Sequence, residues 1–366
     1  MNKQLIRKIA NVTDRMWKKR ACKGLLFGDI GISLVHNSLY KITEQQLHKH
    51  RIEAGLSQYM PEHFSESNLF TFFPINYAYG LVGVYSAYNI IYFNSNQRET
   101  DLLDLSEFYE FICENMSDID LESNFGFFHG AAGQLQYLNT DPGIDKKQIS
   151  VLLEDFINIM EVSSLKQRFS ISSGHVNVTV SHGITGLLLV ILNCCNLHKV
   201  KPDNLQSILS EGIGILNPYL EQRMEESDRI PFQLCDFKRD LMVCLFLLKA
   251  NDKIDTTITN TTAYNYCKFI LDKVELELPE NFAIGQTTGL SGILECVRSI
   301  FSLVQQKDIK DWFEYHHDRL CNFLLKNTTY EYTMNNTFYD GISGTLLTAL
   351  SPEIEDDPNW RKLLLY

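Results

Sequence analysis

The stretch "TVSHGITGLLLVILNCC", Thr179–Cys195, sets a His-Gly-x-x-Gly turn directly before an apolar helical run. A glycine pair at one helix entrance is a weak signal, but this pair recurs along the chain. The copies are Gly28/Gly31, Gly80/Gly83, Gly130/Gly133, Gly183/Gly186, Gly289/Gly292 and Gly341/Gly344, each followed by apolar residues and read here as structural turn residues. Their first glycines fall 50–53 residues apart, with one interval of 106 residues between Gly183 and Gly289. That interval is two periods, so a degenerate copy belongs near its middle. There "LCDFKRDLMVCLFLLKA", Leu234–Ala250, supplies an apolar helix with Phe237 and Asp240 where glycines would fall. Seven units of about 50 residues therefore account for the chain, 1–366, as a single domain.

A unit of this length holds two helices, one after the glycine turn and one before the next. The helix after the turn is apolar all round, as in "GLLLVILNCC", whereas the preceding segments, such as "DLSEFYEFICENM" and "KKQISVLLEDFINIM", are amphipathic. Helices apolar all round are buried and amphipathic ones face water. The expected architecture is all-α, an α/α-toroid with an inner ring of seven helices wrapped by an outer ring. Closure removes the exposed ends that an open solenoid must cap, and neither end unit carries a polar cap. Only "HVNVTV", His175–Val180, reads as locally extended.

The totals agree with a globular protein: 45% hydrophobic and 21% charged residues exclude disorder. No apolar run approaches the roughly 20 residues of a membrane span, and no secretory signal opens the chain, so a cytoplasmic location is expected. The nine cysteines form neither a disulfide framework nor a Cys-x-x-Cys pair and read mainly as reduced core residues. The formal charge of -12 disfavours nucleic-acid binding. The N-terminus alone is basic, with Lys3, Arg7, Lys8, Arg15, Lys18, Lys19, Arg20 and Lys23 against Asp14. It is expected to form an outer helix with a solvated basic face, touching a membrane surface at most peripherally.

Seven units opened by "HGAAG", "SHGITG", "TTGLSG" and "YDGISG" resemble the LanC-like family, the lanthionine synthetase cyclases. The local match is best at "VNVTVSHGITG", Val176–Gly186, which is similar to the family's Asn-Leu-Gly-Leu-Ala-His-Gly-Ile-x-Gly segment. The resemblance implies an α/α-toroid with zinc at one barrel end. It also implies a precursor peptide bearing dehydroalanine or dehydrobutyrine, a dehydratase partner, and thioether closure by Michael addition of a zinc-held cysteine thiolate. A cation lowers a thiol's pKa, and three protein ligands plus one open position suit catalytic zinc.

The sequence departs from that pattern at the metal. The family's Trp-Cys-Tyr-Gly motif reads "LCDF" here, keeping Cys235 alone, and its Cys-His-Gly motif reads Thr287-Thr288-Gly289. Threonine hydroxyls are poor zinc ligands, so the expected zinc site is incomplete. The family's acid four positions before the third-unit glycine is replaced by Gly126. His182 matches the family's proton donor or acceptor, against the alternative of an imidazole satisfied by backbone at a crowded turn. His129 stands before Gly130 as His182 stands before Gly183, so His129, His182 and Cys235 are candidates for a displaced metal site. Cys235, with Lys238 and Arg239 nearby, is otherwise a candidate reactive thiol or a leftover core cysteine. Three functions remain open at this stage: a peptide cyclase working through His182, a non-catalytic peptide-binding or scaffold subunit, and a carbohydrate-active toroid using Asp236 and Asp340.

Overall fold

The computed structural model describes residues 3–18, 24–26, 28, 30–59, 75–92, 105–140, 144–171, 174–226, 233–251, 253–254, 257–277, 284–286, 289–327, 337–339, 341–353 and 359–366. These form seven pairs of consecutive helices. They are α1 (Lys3–Lys18) with α2 (Ile30–Thr43), α3 (Gln46–Leu56) with α4 (Leu81–Tyr92), α5 (Ser106–Ser117) with α6 (Ala131–Thr140), and α7 (Lys146–Val162) with α8 (Ile184–His198). Then follow α9 (Leu205–Glu225) with α10 (Leu234–Asn251), α11 (Thr257–Glu277) with α12 (Leu290–Val304), and α13 (Lys307–Lys326) with α14 (Ile342–Leu350).

Each even-numbered helix packs on the next, and α14 packs back on α2, so the inner ring is closed. The odd-numbered helices pack against its outside. Burial follows the sequence pattern. In α8 every residue from Ile184 to Leu192 is buried, whereas α7 buries the stripe Ile149, Leu152, Leu153, Phe156, Ile157 and Met160. Helix α1 likewise buries Leu5, Ile9, Val12, Met16 and Trp17 and exposes Lys3, Arg7, Arg15 and Lys18. Lys8 instead donates to the carbonyls of Leu325 and Asn327 at the end of α13. Among the described residues no strand forms; Ser170 and Val176 make one antiparallel bridge, where extended chain was expected.

The glycine pairs divide between turn and helix, which corrects the expectation that both members are turn residues. Gly28, Gly80, Gly130, Gly183, Gly289 and Gly341 do stand at bends. Their companions Gly31, Gly83, Gly133, Gly186, Gly292 and Gly344 instead lie in the first turn of the inner helices, all six of them buried. The reason is close packing around the helix start rather than a turn conformation. A Cβ on Gly186 would run into the carbonyl oxygen of Val180, six residues earlier, and the same relation recurs at Gly83, Gly133, Gly292 and Gly344. Gly31 differs again: its Cβ would meet Cβ of Phe338 at 2.7 Å and of Ser343 at 3.0 Å. Both belong to the seventh unit, so this glycine admits the last turn where the ring closes on the first inner helix.

The doubled-back segment also satisfies donors that a helix entrance leaves unpaired. Ile184 N–H donates to Asn177 C=O at 2.9 Å, and Ala131 N–H to Asn124 C=O at 2.8 Å.

Neighbouring turns are tied to each other by backbone. Phe128 N–H donates to Ser181 C=O at 3.0 Å, and Phe128 C=O accepts from Tyr77 and Ala78 at 3.1 and 3.2 Å. Ala78 C=O then accepts from Leu26 at 3.0 Å, and Leu26 C=O from Tyr339 at 2.8 Å. Ser181, Phe128, Ala78, Leu26 and Tyr339 each stand two residues before the first glycine of their unit. Five turns are thereby joined in a belt around one mouth of the ring.

The fifth unit lacks the glycines and lacks the turn. Helix α10 begins at Leu234 and runs through Phe237 and Asp240, whereas α8, α12 and α14 begin one residue after their first glycine. Asp240 is fully buried and turns outward between α9 and α11. It accepts from Tyr219 Oη at 2.6 Å, Tyr266 Oη at 3.0 Å, Arg239 Nε at 3.1 Å and Arg223 Nε at 3.2 Å.

Inside the ring lies the segment Asn359–Tyr366. Tyr77 Oη donates to Leu363 C=O at 3.0 Å, Gln136 Nε2 to Lys362 C=O at 2.8 Å, and Arg361 Nε pairs with buried Glu295 at 2.8 Å. Trp360, Leu363, Leu364 and Leu365 are buried there.

Two substitutions test this account. Gly186→Ala is expected to destabilise the fold by about 2–3 kcal/mol, because its clash is with backbone. Gly214→Ala on α9, where a Cβ meets nothing within 4 Å, should instead add about 0.5–1 kcal/mol. Denaturant unfolding of the two variants distinguishes them. In the same measurement Asp240→Asn should cost about 2–3 kcal/mol, because a buried acceptor of four hydrogen bonds loses its charge and one of its two acceptor oxygens.

Candidate functional site

Among the described residues, three that stand just before a first glycine project from the belt at the mouth. In three consecutive units these are Tyr79, His129 and His182, all exposed. The backbone bonds between their turns set the side chains in a row. The Tyr79 and His129 rings stack with centroids 5.7 Å apart at 9°, and His129 and His182 at 5.2 Å and 17°. Phe128 lies below the row, edge-on to His129, to His182 at 5.9 Å and to Tyr339 at 5.0 Å.

His182 is held from behind. Its backbone N–H faces Thr179 Oγ1 at 3.4 Å, and that hydroxyl donates to Asn177 Oδ1 at 2.8 Å. Partial burial, and then the charge of neighbouring His129, hold the His182 imidazole below its ordinary pKa. It is therefore a neutral imidazole at neutral pH, able to accept a proton. Gly126, which replaces the acid implied by the family resemblance, sits against this residue: a Cβ there would lie 3.4 Å from His182 Cα and 3.1 Å from Asn124 Oδ1. The missing carboxylate would have stood beside the imidazole and raised its pKa.

The other side of the mouth comes from the fifth to seventh units. Cys235 is half-buried in the first turn of α10, with Sγ 3.7 Å from Gln233 Oε1. Asp236 accepts from Gln233 N–H at 3.1 Å and pairs with Arg239 at 3.0 Å, so its carboxylate serves the helix entrance. The two cations beside Cys235 diverge. Arg239 turns outward to Asp236 and Asp240, while Lys238 turns into the ring and is buried. Its Nζ lies 4.9 Å over the Tyr339 ring and 5.7 Å from the Tyr366 ring centroid, and its stem passes Gly292 at the start of α12. Tyr366 Oη donates to Gln286 Oε1 at 3.0 Å, and Gln286 Nε2 donates to Gly344 C=O at 3.0 Å.

These residues do not fit the zinc that the family resemblance implies. Cys235 is the one soft ligand retained. Thr287, Thr288 and Asp340 lie outside the described residues, and threonine is a poor donor for zinc in any placement. His129 and His182 come together as stacked rings, whose in-plane lone pairs run side by side rather than converging. Cys235 does not join them: among the described residues no three His, Cys, Asp or Glu side chains gather as a metal-holding group. Cys321 is half-buried, and six further cysteines among the described residues belong to the core. Cys113, Cys194, Cys195, Cys244, Cys267 and Cys296 are buried, and burial pushes the Cys195 thiol up to about 11. Among the described residues no helix is long and apolar enough to cross a membrane.

Sequence reasoning identified His129 and His182 but not the row they form with Tyr79. The signal was present, since all three occupy the position before a first glycine. Lys238 had been noted only as a neighbour of Cys235; its inward direction depends on α10 starting three residues before Phe237, which the loss of glycine permits.

A closed double ring of seven helix pairs with a histidine-bearing mouth defines an α/α-toroid. The family model described as lanthionine synthetase C-like protein matches residues 23–226, and the chain belongs to that family. A solved structure titled nisin cyclase is similar in fold, with a TM-score of 0.69 and 17% sequence identity over 99% of this chain and 96% of that one. No curated protein sequence matches the chain.

Restoring the lost acid checks the placement of Gly126. Gly126→Asp is expected to raise the His182 pKa, read from its imidazole resonances in a proton-NMR pH titration; an unchanged or lower value would contradict the geometry.

Proposed function

We propose that the chain acts on a ribosomally made peptide as a lanthipeptide-cyclase-like protein, adding cysteine sulfur to dehydrated Ser or Thr, with His182 as the proton carrier. The observation that carries this reading is the neutral, partly exposed His182 at the mouth of a LanC-like toroid. A neutral imidazole accepts the thiol proton. The sulfur then bonds the alkene β-carbon, the π pair moves onto the α-carbon and its carbonyl, and the imidazolium returns the proton to the α-carbon. The step is redox-neutral and needs no further reactant. His129, stacked on His182, opposes its protonation and so keeps the acceptor form available. Cys235 is a half-buried thiol beside the site, without an assigned step.

The whole chain serves as one domain in this reading, located in the cytoplasm with a precursor peptide as substrate and a dehydratase as partner. The basic face of α1 is its surface for an acidic partner or, peripherally, a membrane. The missing metal donors favour a second reading, in which the ring holds the peptide for another enzyme. The carbohydrate reading finds no support: Asp236 is engaged at its own helix entrance, and Asp340 lies outside the described residues.

The test is loss of free thiol from a dehydrated, cysteine-containing peptide. Wild type should accelerate it, and His182→Asn should lower the rate by about 10²-fold or more. The His182-dependent rate should fall as pH drops through its depressed pKa, below about 6.5. His129→Gln removes a charge that lowers that pKa, so the acid limb should move to higher pH. Binding of the peptide without acceleration would establish the holding role instead.

A further inference from the structure

An open groove lies between helix α9 and the segment that leads into the His182 turn. Its volume is about 510 Å³, within the range of clefts that take a ligand. One wall is the extended stretch Val176–Val178, which bridges back to Ser170. The bonds of that bridge run from Asn177 N–H to Phe169 C=O and from Ile171 N–H to His175 C=O, both at 2.8 Å. In an antiparallel pair bonded this way, the two residues directly opposite turn their own N–H and C=O away from each other. Val176 therefore presents a donor and an acceptor on its outer edge, and neither has a partner among the described residues.

The facing wall is α9, which carries Pro218 in its interior. Proline has no N–H, so the Gly214 carbonyl one turn earlier lacks its helical donor. Gly214 is exposed and lines the groove, and a Cβ there would meet nothing within 4 Å. Val178, Ile215 and Tyr219 give the groove apolar surface between these main-chain groups.

The stretch that forms the first wall also supports the proton carrier. Val176 and Val178 line the groove, while the alternate residues Asn177 and Thr179 brace the His182 turn through their side-chain oxygens. His182 follows Val178 by four residues, so the two are at most about 14 Å apart, a span that an extended peptide covers in about four residues.

We propose that this groove binds the substrate peptide as an extended strand, recognised through its main chain and held beside the residues that close the ring. The inference rests on the peptide-cyclising reading above. An extended peptide carries N–H and C=O groups along both of its edges, which match unpaired main chain on two facing walls. Recognition of this kind tolerates varied side chains, so different stretches of one precursor can occupy the groove in turn.

The probe is a fluorescently labelled dehydrated peptide with its cysteines alkylated, which binds without reacting, and polarisation reads its affinity. Gly214→Trp fills the groove from an exposed helix position and should weaken binding by about tenfold or more. Val176→Pro removes one donor from an edge where proline is tolerated and should weaken it by about 3- to 10-fold, the worth of one hydrogen bond. Thermal unfolding shows that each variant is folded. Wild type supplies a test that needs no variant: the same peptide N-methylated along its backbone keeps every side chain and should bind at least about tenfold more weakly. Absence of binding to wild type, equal affinity for the N-methylated peptide, or full affinity in either folded variant overturns the proposal. The unblocked peptide is assayed in parallel for thiol loss. His182-dependent loss with an unchanged KM in Gly214→Trp would overturn the groove and leave the cyclising reading standing. Groove-dependent binding without thiol loss would overturn cyclisation and leave the groove in the holding role.

Discussion

The structure depends on how tightly each chain segment turns back onto the helix it is about to enter. At the second glycine of five units, the helix backbone meets a carbonyl oxygen six residues earlier, and no side chain fits between them. In the first unit Gly31 leaves the same room for the seventh, whose Phe338 and Ser343 press against it. These contacts bring the segment two residues before the first glycine into hydrogen-bonding reach of the neighbouring turn. The belt from Ser181 through Phe128, Ala78 and Leu26 to Tyr339 is the result. Ring closure and the composition of the mouth therefore have a common cause. Backbone bonds set the spacing of the turns, and Tyr79, His129 and His182, each just before a first glycine, are thereby placed on the rim.

The fifth unit shows what replaces this contact when it is absent. With Phe237 and Asp240 at the glycine positions, the chain continues as helix from Leu234, and Cys235 lies inside a helix rather than on a turn. Asp240 secures the unit differently, gathering two arginines and two tyrosines from α9, α10 and α11. A buried carboxylate is tolerated there because each acceptor site has a donor. The altered start also directs Lys238 inward. One departure from the repeat thus changes a turn, a ligand position and the charge inside the mouth together.

The fold was legible because its signal is repeated. Glycine pairs at a constant interval, each before a buried helix, specify paired helices in a ring, and even the degenerate fifth copy lay where the period put it. What the interval did not separate is the two glycines of a pair: one bends the chain, and the other is a helical residue whose neighbours only the packed ring reveals. The pairing of His129 with His182 was legible too, from their equal position before glycine. Tyr79 occupies the same position but reads in sequence as one aromatic among many; only the belt shows that it extends the row. The role of Asp240 was hidden for a different reason. Its partners Tyr219, Arg223 and Tyr266 are 17–26 residues away on two other helices, and no local pattern links them. The segment Asn359–Tyr366 carries no periodic signal at all, and its place inside the ring rests on contacts with inner helices at distant positions in sequence.

A scaffold of this kind separates fold from chemistry. The second glycine of each pair is constrained by close contact, so it has little freedom to vary. The rim carries Tyr79, His129 and His182, each one position before a first glycine, on one arc and Cys235 and Asp236 on another. Neither the closure of the ring nor the packing of its helices depends on which of these side chains are present. The glycines and the inner helices carry the fold, and the residues at the rim can differ without disturbing it. Loss of metal-binding residues at such positions leaves the toroid intact and the mouth open to another arrangement of charge.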